Sequence, residues 1–129
     1  MPTDRRRAAD VEDAEHFFDG SDLGRLAFRR VHALVTACGP CELRVAKTQV
    51  GWARRRGFAY LWRPGRWLRH PSAEVVLTID LPRRDSSARF KEVVEPRPKL
   101  FVHHLELHDV ADIDEEVERW LQEAFAAAG

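Results

Sequence analysis

Between residues 41 and 62 apolar side chains recur on a two-residue period, at Leu43 and Val45, at Val50 and Trp52, and at Phe58, Tyr60 and Trp62. That is the spacing of strands that bury one face. Lys47-Thr48 and Arg54-Arg55-Arg56-Gly57 interrupt the runs where a chain can reverse, so three short antiparallel strands are expected in succession, with all of these apolar positions turned to a core. Upstream the period lengthens. Residues 11–18 fit a short helix with Val11, Ala14, Phe17 and Phe18 on one side, and Asp19-Gly20-Ser21-Asp22 breaks it and can cap the next. Leu23, Leu26, Ala27, Val31, Leu34, Val35 and Cys38 follow at helical spacing until Gly39-Pro40 forbids continuation.

Downstream, residues 63–71 are a Pro- and Arg-containing loop, and residues 73–81 form a strong strand with Val75, Leu77, Ile79 and Leu81 on its core face. A charged connector over residues 82–88 leads to a short edge strand at residues 90–94 and a turn at Glu95-Pro96-Arg97-Pro98. The strand at residues 100–107 places Phe101, His103, Leu105 and Leu107 on one face, and Val102, His104 and Glu106 on the other with His108 just beyond. A closing helix is signalled by Asp112 and Glu115 in capping-box spacing and by the stripe Ile113, Val117, Trp120, Leu121, Ala124 and Phe125. The expected fold is α+β: an N-terminal helix, an antiparallel sheet of about five strands as a meander, and a C-terminal helix packed on one sheet face. The expected domain covers residues 11–129, behind a frayed stretch of residues 1–10.

Composition changes this picture in one respect. The net charge of the 129 residues is zero, yet Arg44 to Lys99 holds fourteen Lys/Arg against five Asp/Glu, and Leu100 to the end holds one against eight. A basic segment and an acidic helix can each face solvent, complement one another within the fold, or do so across a homodimer. No apolar run approaches the roughly 20 residues of a membrane span, and no apolar segment follows the first arginines. Two cysteines three residues apart make no disulfide framework, so the cytoplasm is the expected compartment.

Cys38-Gly39-Pro40-Cys41 spells a thioredoxin-type tetrapeptide in the wrong setting. That chemistry needs the first cysteine at a helix N-terminus, and here the motif leaves a helix C-terminus and enters a strand. A helix stop is the better reading. His104, Glu106 and His108 alternate on one strand face, about 7 Å apart from a rise of roughly 3.4 Å per residue. They span too far to share one ion without a bend, and only His16, His32 or His70 could add a ligand. No metal site and no cofactor is expected.

Lys47-Thr48-Gln49-Val50, Phe58-Ala59, Val94-Glu95-Pro96, His103-His104, Asp112-Ile113-Asp114-Glu115 and Trp120-Leu121 with Glu123-Ala124 occur in that order. Together they resemble a family of small bacterial domains catalogued as a domain of unknown function, some members of which carry a transporter label. The resemblance runs from about Phe17 to Ala126. It implies a helix, antiparallel sheet, helix architecture and no particular activity, and a transporter has no physical support in a chain without a span. One departure is Leu100-Phe101-Val102, where members often have Arg-aromatic-Thr before the paired histidines.

Lys47, Thr48, Gln49, Arg89, Glu95 and His103, with His104 beside it, are the candidate polar site. A lysine, a hydroxyl and an amide together can hold a phosphate or carboxylate. The same residues could instead lock strand register, for instance through a Lys47–Glu95 pair. Arg54, Arg55, Arg56 and Arg66, with Trp67 as an exposed stacker, suit single-stranded nucleic acid. Trp52 and Trp62 are read as core residues. The expected function is therefore a binding or interaction module for an anionic small molecule or protein partner, rather than an enzyme. Single-stranded nucleic-acid binding, and catalysis or metal binding through His103 and His104, are the alternatives.

Overall fold

The protein is described by a computed structural model over residues 10–129. The expected frayed stretch, apart from Asp10, lies outside those residues. Helix α1 (Val11–Phe17) starts at Asp10, whose side chain forms a reciprocal capping box with Asp13. Helix α2 (Asp22–Cys38) is capped by Ser21, whose Oγ accepts from the Gly24 N–H at 2.9 Å and donates to the Glu74 carboxylate. It ends at Gly39, whose φ of 148° favours glycine. The strands are β1 (Glu42–Val45), β2 (Val50–Ala53), β3 (Gly57–Trp62), β4 (Val75–Leu81), β5 (Glu92–Arg97) and β6 (Leu100–Leu107), and helix α3 (Glu115–Ala127) closes the fold.

The α+β class and the helix, antiparallel sheet, helix order are as expected. Six strands are found among the described residues rather than about five, and only the first four form a meander. The sheet order is β1-β2-β3-β4-β6-β5, so the chain leaves β4, skips a position to lay down β5 at the edge, and returns through β6 to fill the gap. All pairings are antiparallel. β5 continues through the expected turn as far as Arg97, with Pro96 inside an irregularity between Val94 and Arg97, where an edge strand tolerates a missing N–H. The reversal falls at Pro98-Lys99, and Lys99 has a φ of 65°.

Register aligns Leu43, Trp52, Ala59, Ile79, His103 and Val93 across all six strands. This face carries the helices: Phe28 of α2 stacks on Trp52 at 5.8 Å, and Trp120 of α3 meets Phe90, which in turn meets His103. The stripe of α2 includes Phe28, fully buried, and not Leu26, which is 47% exposed. At 100° per residue Phe28 falls about 40° from Gly24 and about 60° from Val31, on the buried side, whereas Leu26 lies about 160° from Gly24 on the outer side. The capping signal of α3 also sits differently. Asp109 and Asp112 box a 3-10 turn, and Asp114 caps the helix by accepting from the Val117 N–H at 3.1 Å.

The opposite row is Arg44, Gly51, Tyr60, Thr78, His104 and Glu92. No described helix lies over it. Trp62 belongs to this uncovered face, paired with Val76 and through it with Glu106, which corrects its expected place in the core. The cause is a bulge: Trp52 pairs with Ala59 while Ala53 pairs with Gly57, so Phe58 is extra and packs on Phe125. Past that point the alternation inverts, and Ala59 and Leu61 go inward while Tyr60 and Trp62 go outward. Gly51 and Gly57 make room for the Tyr60 ring, since a Cβ would stand 2.8 Å from its Cδ1 at the first and 2.0 Å from its hydroxyl at the second.

Candidate functional site

The residues of the expected polar site do not come together. Lys47 and Thr48 are exposed in the β1–β2 turn, where the Ala46 N–H donates to the Gln49 carbonyl at 2.8 Å, and Gln49 is half-buried beside them. Glu95 is exposed on β5 at the other edge of the sheet. Four to five interstrand spacings of about 4.8 Å, roughly 20 Å, separate the two, so a Lys47–Glu95 pair does not form. Arg89 belongs to neither edge. Its guanidinium donates to Asp114, to Glu116 at 2.9 Å and to the Asp112 carbonyl at 2.7 Å, tying the connector before β5 to the start of α3. Negative charge at that helix N-terminus is stabilised twice, by the helix dipole and by the arginine.

His103 is fully buried on the helix-covered face. Its Nε2 accepts from the Asp85 N–H at 3.0 Å, so Nδ1 carries the proton and donates to the Phe101 carbonyl at 2.9 Å. Burial lowers its pKa, so it stays neutral. It bolts the residue 82–91 connector to β6 and offers nothing outward.

The arginines divide as well. Arg54 donates to the Phe125 carbonyl at 2.8 Å near the end of α3 and lies over the Phe125 ring, while the Arg55 N–H donates to the Ala128 carbonyl at 2.9 Å. Arg56 stands at the exposed hairpin tip. Arg83 pairs with Glu123 at 2.8 Å and Asp85 at 3.0 Å. Part of the basic segment is thus answered by the acidic helix within the fold.

Arg63 and Arg66 behave differently. Arg63 donates to the carbonyls of Phe17 at 3.3 Å and Asp19 at 3.0 Å, and Arg66 donates to the same Phe17 carbonyl at 3.1 Å and to that of Lys47 at 3.4 Å. Two guanidinium groups therefore converge on one carbonyl oxygen at the C-terminal end of α1, held by backbone acceptors rather than carboxylates. Both line a cleft of about 560 Å³ with Gly65, Pro71, Glu74 and His108. The Glu74 carboxylate on its wall is engaged by Ser21, Arg66 lies over the Phe17 ring at 4.5 Å, and the next residue, Trp67, is 57% exposed. Sequence reasoning named Lys47, Arg66 and Trp67 but put them in two separate sites. Arg63 belongs to neither, although the spacing Arg63-x-x-Arg66 around Pro64-Gly65 was the available signal.

A second concavity lies on the uncovered sheet face. It has a volume of about 220 Å³, a floor of Trp62, Pro64, Leu68 and Val76, and His104 and Lys91 among its polar residues. The Trp62 indole N–H donates to Thr78 Oγ1 at 2.9 Å, and Thr78 Oγ1 is 2.8 Å from His104 Nδ1. Burial lowers the His104 pKa, so this ring too is neutral. On the same face Asp80 keeps one buried oxygen, Oδ1, without a hydrogen-bond partner in the protein, and burial pushes its pKa up to about 6 against the fields of Arg56 and Arg97.

The remaining motifs assemble no chemistry. Cys38 and Cys41 are free thiols whose pKa values burial raises, the reverse of an activated thiolate. Glu106 bonds Ser72, His108 approaches Glu106 no nearer than 3.9 Å, and no group of three or more His, Cys, Asp or Glu residues that could hold a metal is gathered among the described residues. No helix among those residues is long and apolar enough to cross a membrane.

No curated protein and no solved structure matches this chain. The model of one family, described as a domain of unknown function (DUF5655), matches residues 14–128, the span over which helix, sheet and helix have just been traced, and the protein belongs to that family.

Proposed function

We propose that the protein is a cytoplasmic binding module for an anionic partner, a phosphate or carboxylate group, seated at the Arg63/Arg66 cleft beside Lys47. One observation carries this reading: two guanidinium groups meet at one carbonyl on the wall of a cleft of about 560 Å³, with backbone acceptors using only part of their donor capacity. Arg63 Nε and Nη2 and Arg66 Nε retain donors suited to a bidentate oxyanion. The Lys47 side chain, exposed on the adjoining turn, adds a third cation. The two free thiols suit a reducing compartment.

Single-stranded nucleic acid is a second reading, supported by Trp67, which stands exposed beside Arg66 where a base could stack. Thermal-shift titrations with pyrophosphate and with a short oligothymidylate, at low and moderate salt, test both. Pyrophosphate at 100 times its dissociation constant should add about 2.7 kcal/mol. The affinity should fall several-fold in Lys47→Gln, whose side chain can be neutralised without touching the bonds at the end of α1, and more in Arg63→Gln. Absence of any shift from either probe, or equal affinity in Lys47→Gln and Arg63→Gln, would sink the anion site. A shift by the oligonucleotide alone that is lost in Trp67→Ala would decide for the second reading.

A further inference from the structure

The uncovered face of the sheet carries a feature that anion binding at the α1 corner does not use. Indole N–H groups only donate, so the bond from Trp62 occupies a lone pair of Thr78 Oγ1. The Thr78 hydroxyl hydrogen is then free to point to its second neighbour, His104 Nδ1. A neutral imidazole that accepts at Nδ1 carries its proton at Nε2. With Thr78 donating to Nδ1, His104 stands in the 220 Å³ cleft with its Nε2–H unpaired among the described residues. The Trp62 and His104 rings are 6.0 Å apart at an interplanar angle of 79°, so one wall is an edge-to-face aromatic pair.

We propose that this cleft is a ligand site for a neutral monocyclic aromatic group bearing a carbonyl, an aryl amide or ketone, with the ring between Trp62, Val76 and Leu68 and the carbonyl oxygen accepting from His104 Nε2–H. Size and charge choose that class. An apolar cavity of about 150 Å³ accommodates benzene, so about 220 Å³ takes one ring with a small substituent and not a fused pair. Glu92 and Glu106 stand at the cleft with Lys91, so a charged carboxylate would meet two like charges against one opposite, whereas a neutral carbonyl can accept from the imidazole without that repulsion. An amide N–H could in addition donate to Glu92. The fold does not require this arrangement. Leu68 is 56% exposed on a loop that could have stayed clear of the sheet.

The test is a titration of the full chain with benzamide, followed in proton–nitrogen spectra by the Trp62 indole N–H and the His104 ring nitrogens at neutral pH. Both sets of signals should move together and saturate in the millimolar range, with benzoate weaker than benzamide. His104→Phe keeps the ring and deletes the donor, and should weaken benzamide about tenfold. Leu68→Ala alters only an exposed loop side chain, cannot abolish folding, and should weaken benzamide and benzoate by the same factor. The site is disproved by a benzamide titration that moves neither Trp62 nor His104, by undiminished benzamide affinity in His104→Phe, or by benzoate binding more tightly than benzamide. Because Arg63 and Arg66 lie outside this cleft, Arg63→Gln should leave benzamide binding unchanged, so the two sites fail or survive separately.

Discussion

His103 and His104 are chain neighbours on β6 with opposite fates. On the helix-covered face both ring nitrogens of His103 are taken by backbone groups, and the ring packs against Phe90. On the uncovered face the partner of His104 is a side chain, Thr78, and one nitrogen is left for something outside the protein. Burial depresses both pKa values, so the direction of that shift does not tell them apart. What separates them is whether the chain itself closes every valence. The covered face is complete, while the other keeps a ring nitrogen of His104 in a shallow cleft and a buried, unpaired carboxyl oxygen at Asp80, and unanswered polar groups beside a concavity are what a recognition surface offers.

The largest expected effect tests that contrast directly. His103→Leu deletes two hydrogen bonds, orphans the Asp85 N–H and disturbs the Phe90 contact, and should cost about 2–4 kcal/mol in urea denaturation. His104→Leu removes one bond at a face already open to solvent, and should cost about 1 kcal/mol or less. Equal losses would mean that the uncovered face is as structural as the covered one.

Asp80 sharpens the comparison from the other side. A carboxyl whose pKa rises from 3.8 to about 6 on folding binds more protons in the native state than in the unfolded state between those values. Stability therefore falls as pH rises through that window. At neutral pH the ionised group costs at most about 3 kcal/mol, from two pH units at about 1.4 kcal/mol each, and less where water reaches its rim. Asp80→Asn should therefore raise the melting temperature at pH 7 and change it little below pH 4. A variant no more stable than the parent at pH 7 would show that Asp80 already has a partner in solution.

Much of this fold was legible along the chain, because each element carries its own local signal. Ser21 caps α2, Gly39 ends it, and the alternation of residues 100–107 coincides with β6. What stayed hidden depends on relations between strands. Phe58, Tyr60 and Trp62 read as one alternating set until the bulge opposite Trp52 and Ala53 inserts Phe58 as an extra residue and sends Tyr60 and Trp62 outward. Gly51 and Gly57, two glycines flanking that bulge, were the available hint. The polar set failed for a similar reason. Lys47, Arg89, Glu95 and His103 follow one another in motif order, but motif order does not reveal that β5 lies outside β6 or that adjacent histidines straddle the sheet. Arg66 was legible as a cation, and only the tertiary fold shows it sharing the Phe17 carbonyl with Arg63.

The smallest effect separates two arginines of one hairpin tip. Arg54 turns to the covered side, where it bonds the Phe125 carbonyl near the end of α3 and lies 4.1 Å above the Phe125 ring. Arg54→Gln should cost about 1 kcal/mol, since a cation at a helix C-terminus and a ring contact are lost together. Arg56 is exposed and acts on the uncovered side only through its field, which holds the Asp80 carboxyl down against burial. Arg56→Gln should leave stability at pH 4 within about 0.5 kcal/mol of the parent, as surface changes do. It should also shift the Asp80 carboxyl titration, followed by carbon NMR, to higher pH. A shift to lower pH, or none, would show that Arg56 points away from the uncovered face in solution, and would leave Arg97 as the cation that tempers Asp80.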